Sequence, residues 1–324
     1  MLAFLIRRIS QSIVVLLVMS VLVFGGVFCI GNPVDILIAP DATPAERDRA
    51  IKELGLDKPL PEQYMRFLKD AVQGDLGNSF VYNEPALKLI MQRMPATMEL
   101  AVTAMLMAVF FGIPLGMIAG IKSDTLLGRS IMRFSILGFS LPTFWVGLMF
   151  IIIFSVYLGW LPSGGRGETV ELLGVPVSFL SWDGIRHLIL PAMNLALFKT
   201  SLAIRLSRAG VQENIQMDYV KFARAKGLTN TRIIGLHVMK NIMIPVITVL
   251  GMEFGGLIAF AVVTETIFSW PGMGKLVIDS IGVLDRPVIV AYLLITVTMF
   301  IIINLIVDII YSILDPRVRL GDQN

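Results

Sequence analysis

The sequence predicts an all-α integral membrane protein with six membrane-crossing helices. Three observations carry this. Hydrophobic residues make up 56% of the 324-residue chain and charged residues only 16%, against about 25% charged in soluble domains. Six windows, 9–30, 98–121, 134–158, 187–207, 242–266 and 288–314, are apolar over lengths near the roughly 20 residues a bilayer demands. Lysine and arginine then concentrate in alternate loops, which is the pattern that sets topology. The net charge of +3 is what that bias leaves behind, and it calls for no nucleic-acid partner.

The first window exceeds the apolar core of a secretory signal, about 7–15 residues, so it reads as a retained helix. Its end, FGGVFCIGNP, holds small residues that keep cleavage as the alternative. Cys29 is the single cysteine, so the chain forms no internal disulfide. In an apolar helix it reads as a small hydrophobe rather than a lipid-attachment site.

Residues 31–97 form an outward insertion. Thr43-Pro44-Ala45-Glu46 reads as a capping box with proline at the first helical position, with Ile51 and Leu54 on one face and Gly55 as the stop. A second helix follows Pro61, with Tyr64, Phe67, Leu68, Ala71 and Val72 on one side and Gly74 ending it. Two such short helices bury little alone, so they must rest on the membrane helices or on a partner.

Orientation is set by the basic residues. Arg7 and Arg8 precede the first span, and Lys122, Arg129 and Arg133 lie between the second and third. Arg205, Arg208, Lys221, Arg224, Lys226, Arg232 and Lys240 come after the fourth, and Arg317 and Arg319 close the chain. Loops 159–186 and 267–287 carry only Arg166, Arg186, Lys275 and Arg286. Both termini and the loop 208–241 therefore face the cytoplasm. The organisation is a first helix (1–30), the insertion (31–97), a five-helix core (98–314) containing that loop, and a tail (315–324).

Lys199 interrupts the fourth window and Glu253 the fifth. Charges inside a membrane are functional candidates. Their depths differ by about one helical turn. They read either as residues lining a water-filled pathway or as a pair holding the bundle together. Glu99, Glu265 and Asp308 lie nearer the interfaces and read as anchors or interfacial pairs. Prolines 114, 142, 191 and 245 predict kinks. Gly112, Gly116 and Gly120 are spaced for close helix contact.

Catalytic chemistry finds no footing. His187 and His237 fall near opposite membrane faces, so they share neither a metal nor a triad. PGMGK at 271–275 lacks both the first glycine and the Ser/Thr of a phosphate loop. No nucleophile stands beside a base. The chain reads as no enzyme.

Residues 213–227 fit an amphipathic helix, with Ile215, Tyr219, Phe222 and Ala223 at helical spacing and Asp218, Lys221 and Arg224 elsewhere. Gly227 suits the left-handed residue that ends a helix, with Leu228 supplying the contact after it. Thr229 or Thr231 then caps a helix running into the fifth span. So short a helix needs something to pack against, either lipid headgroups or a cytoplasmic partner.

ARAKGL at 223–228 followed by KNIMIPVIT at 240–248 resembles the cytoplasmic loop of ABC-importer permeases of the dipeptide/oligopeptide class. MLAFLIRRI, GLDKPLPEQYMRFL, GDLGNSF, LPTFW, LGWLPSGG, HLILPA, TETIFSWPGMG and NLIVDIIYSILDPRVR are similar to that class in the same order, across essentially the whole chain. In the broader importer signature Glu-Ala-Ala precedes three residues and a glycine. Here only Ala223 and Gly227 match, a departure usual in the peptide subclass.

The resemblance implies the type I ABC importer permease fold in a bacterial inner membrane. It implies a second homologous permease, two ATP-binding cassette subunits that hold ATP and Mg, and an extracytoplasmic binding protein. It implies no cofactor in this chain. It assigns ATPase coupling to Asp218, Tyr219, Phe222, Ala223, Arg224, Ala225, Lys226, Gly227 and Leu228. Relatives of the class also move nickel complexes, glutathione and other small solutes. A secondary transporter is the alternative of another class, although no internal repeat supports it.

Overall fold

The computed structural model describes residues 2–29, 43–53 and 57–314, and the apolar windows of the sequence lie on its helices. Helix α1 runs over Leu2–Cys29, and the insertion supplies α2 (Pro44–Glu53) and α3 (Leu60–Val72). Next come α4 (Ala86–Ile121), α5 (Leu126–Ser140) and α6 (Thr143–Tyr157), whose last turns, Ile151–Tyr157, are π-helical. A hairpin of β1 (Val170–Leu172) and β2 (Val175–Val177) leads into α7 (Trp182–Ile215). The short α8 (Asp218–Ala225) precedes α9 (Asn230–Ile267), which is π-helical over Ile233–Val238. Helices α10 (Met273–Gly282) and α11 (Arg286–Leu314) complete the described chain. Among the described residues five helices, α1, α4, α7, α9 and α11, are long and apolar enough to cross a membrane. The bent pair α5–α6 makes a sixth when taken as one span.

That pair corrects the continuous window 134–158. Leu141 and Pro142 are both extended, with ψ of 137° and 131°, and the two helices meet at 107°. The proline ring drives the residue before it out of the helical region, so the chain breaks here rather than kinks. Pro191 and Pro245 stay inside α7 and α9. Helix α4 also starts well before residue 98, so the end of the expected insertion is already helical.

Contacts divide the chain into two compact units, Met1–Pro95 with Gly272–Ile301 and Ala96–Pro271 with Ile302–Asn324. In the first, α2 begins at Pro44 as the Thr43-Pro44 pattern predicts; its expected stop at Gly55 lies outside the described residues. Helix α3 rests on α1. Tyr64 and Phe67 meet Phe24 at ring-centre distances of 5.3 and 5.7 Å, and the Tyr64 hydroxyl shares a 2.8 Å hydrogen bond with Ser20. Val72, expected on that face, is exposed, two turns past Tyr64 or about 12 Å along the axis. Gly74, at φ +81°, ends the helix as expected.

In the second unit α7 packs on α4, α5 and α9. The glycine spacing explains the α4 contact. A Cβ at Gly112 would lie 2.6 Å from the Ala203 Cβ, one at Gly116 2.5 Å from the Ile204 carbonyl, and one at Gly120 2.7 Å from the Val211 Cβ. No larger residue fits that seam. Ser135 donates to the Ser201 carbonyl (2.9 Å), tying α5 to α7.

Candidate functional site

The loop between α7 and α9 is held by a small apolar core. Val211, Val220, Ala223, Ile233, Val238 and Ile242 are buried together, with Met117, Ile215, Tyr219 and Leu228 against them. The chain reaches this core through a turn at Gln216–Met217, so α7 extends to Ile215 and α8 starts at Asp218. This corrects the single helix expected over 213–227. The break rotates α8 relative to α7. Val220 and Ala223 become its inner face, and Phe222 points outward, 62% exposed.

The end of α8 is built as predicted. Gly227, at φ +77°, donates its amide to the Arg224 carbonyl (2.9 Å), and the Leu228 amide reaches the Ala223 carbonyl (3.2 Å). That is the double hydrogen bond of a Schellman stop, closed by the Leu228 contact. Thr229 occupies the capping position of α9, but its side chain makes no capping bond. Tyr219 is anchored through its hydroxyl to Asn214 Oδ1 (2.8 Å), and Asn214 donates to the Gly210 carbonyl (2.9 Å). Tyr219 also lines a pocket of 320 Å³ with Leu236, His237, Lys240 and Asn241.

The outward face of α8 is different in kind. Asp218, Lys221, Phe222, Arg224, Ala225 and Lys226 are all exposed. Lys221 donates to Asp218 Oδ1 (2.8 Å), and this bond holds the Asp218 carboxyl below its ordinary value of 3.8. The Lys226 ammonium sits 4.5 Å from the centre of the Phe222 ring. The loop thus presents an exposed aromatic ring flanked by basic groups on a helix fixed from behind.

The structure also brings Lys199 and Glu253 together. The Lys199 ammonium donates to Glu253 Oε2 across the α7–α9 contact. Their environments differ, with the lysine side chain 9% exposed and the glutamate 40%. Lys199 lies 5.2 Å from the Phe198 ring, which stacks on Phe139 at 4.5 Å, and Arg205 covers Phe139 at 4.3 Å. This cation–aromatic ladder is not legible in the sequence, because it joins residues of α5 and α7 far apart in the chain.

Glu99 and Glu265 form buried polar hubs. Glu99 Oε2 accepts from Arg166 Nη2 (2.7 Å), while Glu99 Oε1 accepts from the Ser178 and Phe179 amides. Arg166 also donates to the Pro176 carbonyl (2.6 Å) and lies 5.7 Å from the Trp270 ring. Thr97 donates to Glu265 Oε1 (2.6 Å). Both carboxylates are partnered, and the partners of Glu99 fix the β hairpin. His187 meets Asp183 at 3.5 Å in α7, and His237 stands in α9. No cluster of metal-ligating side chains occurs among the described residues.

Comparison with known proteins adds to this geometry. Residues 112–320 match the family model described as binding-protein-dependent transport system inner membrane component, and residues 1–101 match its N-terminal companion. The chain is 38% identical to the di/tripeptide transport system permease protein DppB of Pseudomonas aeruginosa (strain UCBPP-PA14), covering 98% of this chain and 99% of that protein. It is 37% identical to the glutathione transport system permease protein GsiC of Escherichia coli O6:H1, with the same coverage. Among solved structures, an inward-facing form of the MetNI methionine ABC transporter aligns with a TM-score of 0.56 at 14% identity. It covers 70% of this chain and 96% of that one.

Proposed function

Because this chain belongs to the family of binding-protein-dependent transport system inner membrane components, we propose that it is a peptide-carrying permease of an ATP-driven importer. It forms half of a translocation pathway, and a homologous second permease forms the other half. The observation that carries the peptide reading is the full-length identity of 38% to a di/tripeptide permease. Glutathione is itself a small peptide, and the 37% identity to a glutathione permease favours it as the second cargo reading.

The chain itself hydrolyses nothing. Two cytoplasmic ATP-binding cassette subunits bind ATP and Mg, and α8 is the element they move. Its fixed inner face and exposed outer face support that role. A load applied at Phe222 passes through Val220 and Ala223 to Ile233 and Ile242 of α9, and to Val211 of α7. Those are the two helices that carry Lys199 and Glu253. The pair lies beside the pathway and adjusts as α7 and α9 shift. Nucleotide and the loaded binding protein drive the inward–outward equilibrium only through their differential affinity for its two states. Both termini face the cytoplasm.

Purification through a C-terminal tag from gently solubilised membranes, with mass spectrometry of the co-purifying chains, tests the assembly. The expected result is a second six-span permease with one or two ATPases. Recovery of this chain alone, under conditions that keep a known ABC complex intact, overturns the reading. For the pair, Glu253→Gln removes the counter-charge of a buried ammonium while keeping an amide oxygen as acceptor, a change worth roughly 1.5–3 kcal/mol. Lys199→Met leaves a half-exposed carboxylate and costs less. If both variants assembled and transported normally, the pair would have no part in either process.

A further inference from the structure

Two hollows lie side by side along the first turns of α9. One is the 320 Å³ pocket where Tyr219 of α8 meets Leu236, His237, Lys240 and Asn241. The other holds 490 Å³ and is apolar throughout, with Phe110, Phe111, Pro114 and Leu115 of α4 facing Met239 and Met243 of α9. Met243 follows Lys240 by three residues, so the two side chains are neighbours on the helix surface, about 60° apart. The polar hollow therefore adjoins the apolar one.

Depth and charge separate them. Lys240 and Asn241 stand just outside the apolar stretch that begins at Ile242, and Met243 stands just inside it. Pro114 and Leu115 lie about 9–11 Å along α4 from its end at Ile121. The first hollow is thus at headgroup level and the second at the level of acyl chains. No carboxylate lines either one. Asp218, beside Tyr219, is on the exposed face of α8 and is held by Lys221. Lys240 forms no ion pair among the described residues. The polar hollow offers an ammonium, an imidazole and a carboxamide, with no anion of its own.

We propose that the two hollows together bind one anionic phospholipid, its phosphate at Lys240 and Asn241 and an acyl chain between α4 and α9 against Met243. Basic pockets at the cytoplasmic side of membrane helices suit such headgroups, and that is the side on which the orientation proposed above places Lys240. A free phosphate would use the first hollow alone. The apolar hollow beside it fits a ligand with a tail, and its two methionines adapt to a chain of variable shape. Because Tyr219 belongs to α8, the headgroup braces that helix against the start of α9. Its effect on coupling rests on the importer reading, while the binding does not.

The test is native mass spectrometry of the purified transporter after exposure to equal amounts of phosphatidylglycerol and phosphatidylcholine, with retained lipid read on the mass of this chain. The expected result is one phosphatidylglycerol held in preference to phosphatidylcholine. Lys240→Ala should lower that preference by about fivefold, and Lys240→Arg should keep it. Lys240 is exposed, so neither change threatens the fold. Met243→Trp fills the apolar hollow and should abolish retention with the charge intact. Millimolar inorganic phosphate should not displace the lipid. Equal retention of the two lipids, or no response to Lys240→Ala, overturns the proposal. Displacement by phosphate, or retention by Met243→Trp, overturns it in favour of a simple phosphate pocket. A photoreactive group at Met239 that captures another protein chain overturns it in favour of a subunit contact. Failure to recover ATPases would sink the importer reading and leave the lipid measurement standing.

Discussion

Helices α8 and α10 end in the same hydrogen-bond pattern with different residues at the critical position. At the end of α8 the left-handed residue is Gly227, and at the end of α10 it is Leu284. In the second corner the Leu284 amide meets the Ile281 carbonyl (3.2 Å) and the Asp285 amide the Ser280 carbonyl (2.8 Å), matching the α8 stop bond for bond. The first corner is relaxed, and it exposes its aromatic ring and its charges. The second is strained, and beside the Asp285 carboxylate it encloses the Arg286 guanidinium, whose nitrogens have no hydrogen-bond acceptor among the described residues. A relaxed corner suits a lever that must carry load without yielding. A strained corner is one that its surroundings must hold in place.

Within this comparison the largest expected effect tests the lever. Phe222→Ala should cut affinity for the ATPase subunits by on the order of 2 kcal/mol, about thirtyfold, with membrane insertion intact. Co-purification at graded detergent and salt measures it. Gly227→Val comes next. It places a β-branched residue at φ +77° and should cost roughly 1–2 kcal/mol, read as a lower unfolding midpoint and reduced uptake. Leu284→Gly should act with the opposite sign, raising stability by up to about 1 kcal/mol in the same thermal assay. If both substitutions destabilise equally, the contrast between the corners is wrong.

The smallest effect concerns Asp218 and Lys221. The carboxyl is held below its ordinary value, so any stabilising contribution is present above 3.8 and lost as pH falls through the lower folded value. Both groups are exposed and screened by water. Lys221→Ala should therefore leave stability and uptake unchanged at neutral pH. A clear loss would mean that Lys221 touches a partner directly.

Hydropathy makes the spans legible, and the prolines mark where a helix is vulnerable. They do not say which helix breaks. Pro142 and Pro191 look alike in sequence, yet at Pro142 two consecutive residues become extended while Pro191 stays helical. Gly227 announces its own conformation, because glycine is the usual residue there. Leu284 gives no such signal, since a leucine in that state is held by its surroundings. Periodicity counted from residue 213 puts Phe222 on the inner face, and the turn at Gln216–Met217 defeats that count. Counted from Asp218, Val220 and Ala223 take the inner positions. The seam at Gly112, Gly116 and Gly120 is readable from spacing alone. The missing hydrogen-bond acceptor of Arg286 is not, because it is a property of packing.

Photo-crosslinking from position 222 in the assembled transporter tests the central claim most directly. A photoreactive phenylalanine replaces Phe222, with the same group at Leu284 as the comparison. The account predicts that position 222 captures an ATP-binding subunit and position 284 does not. Capture of lipid alone at position 222, in a complex that retains its ATPases, would contradict it and make α8 a membrane-surface helix.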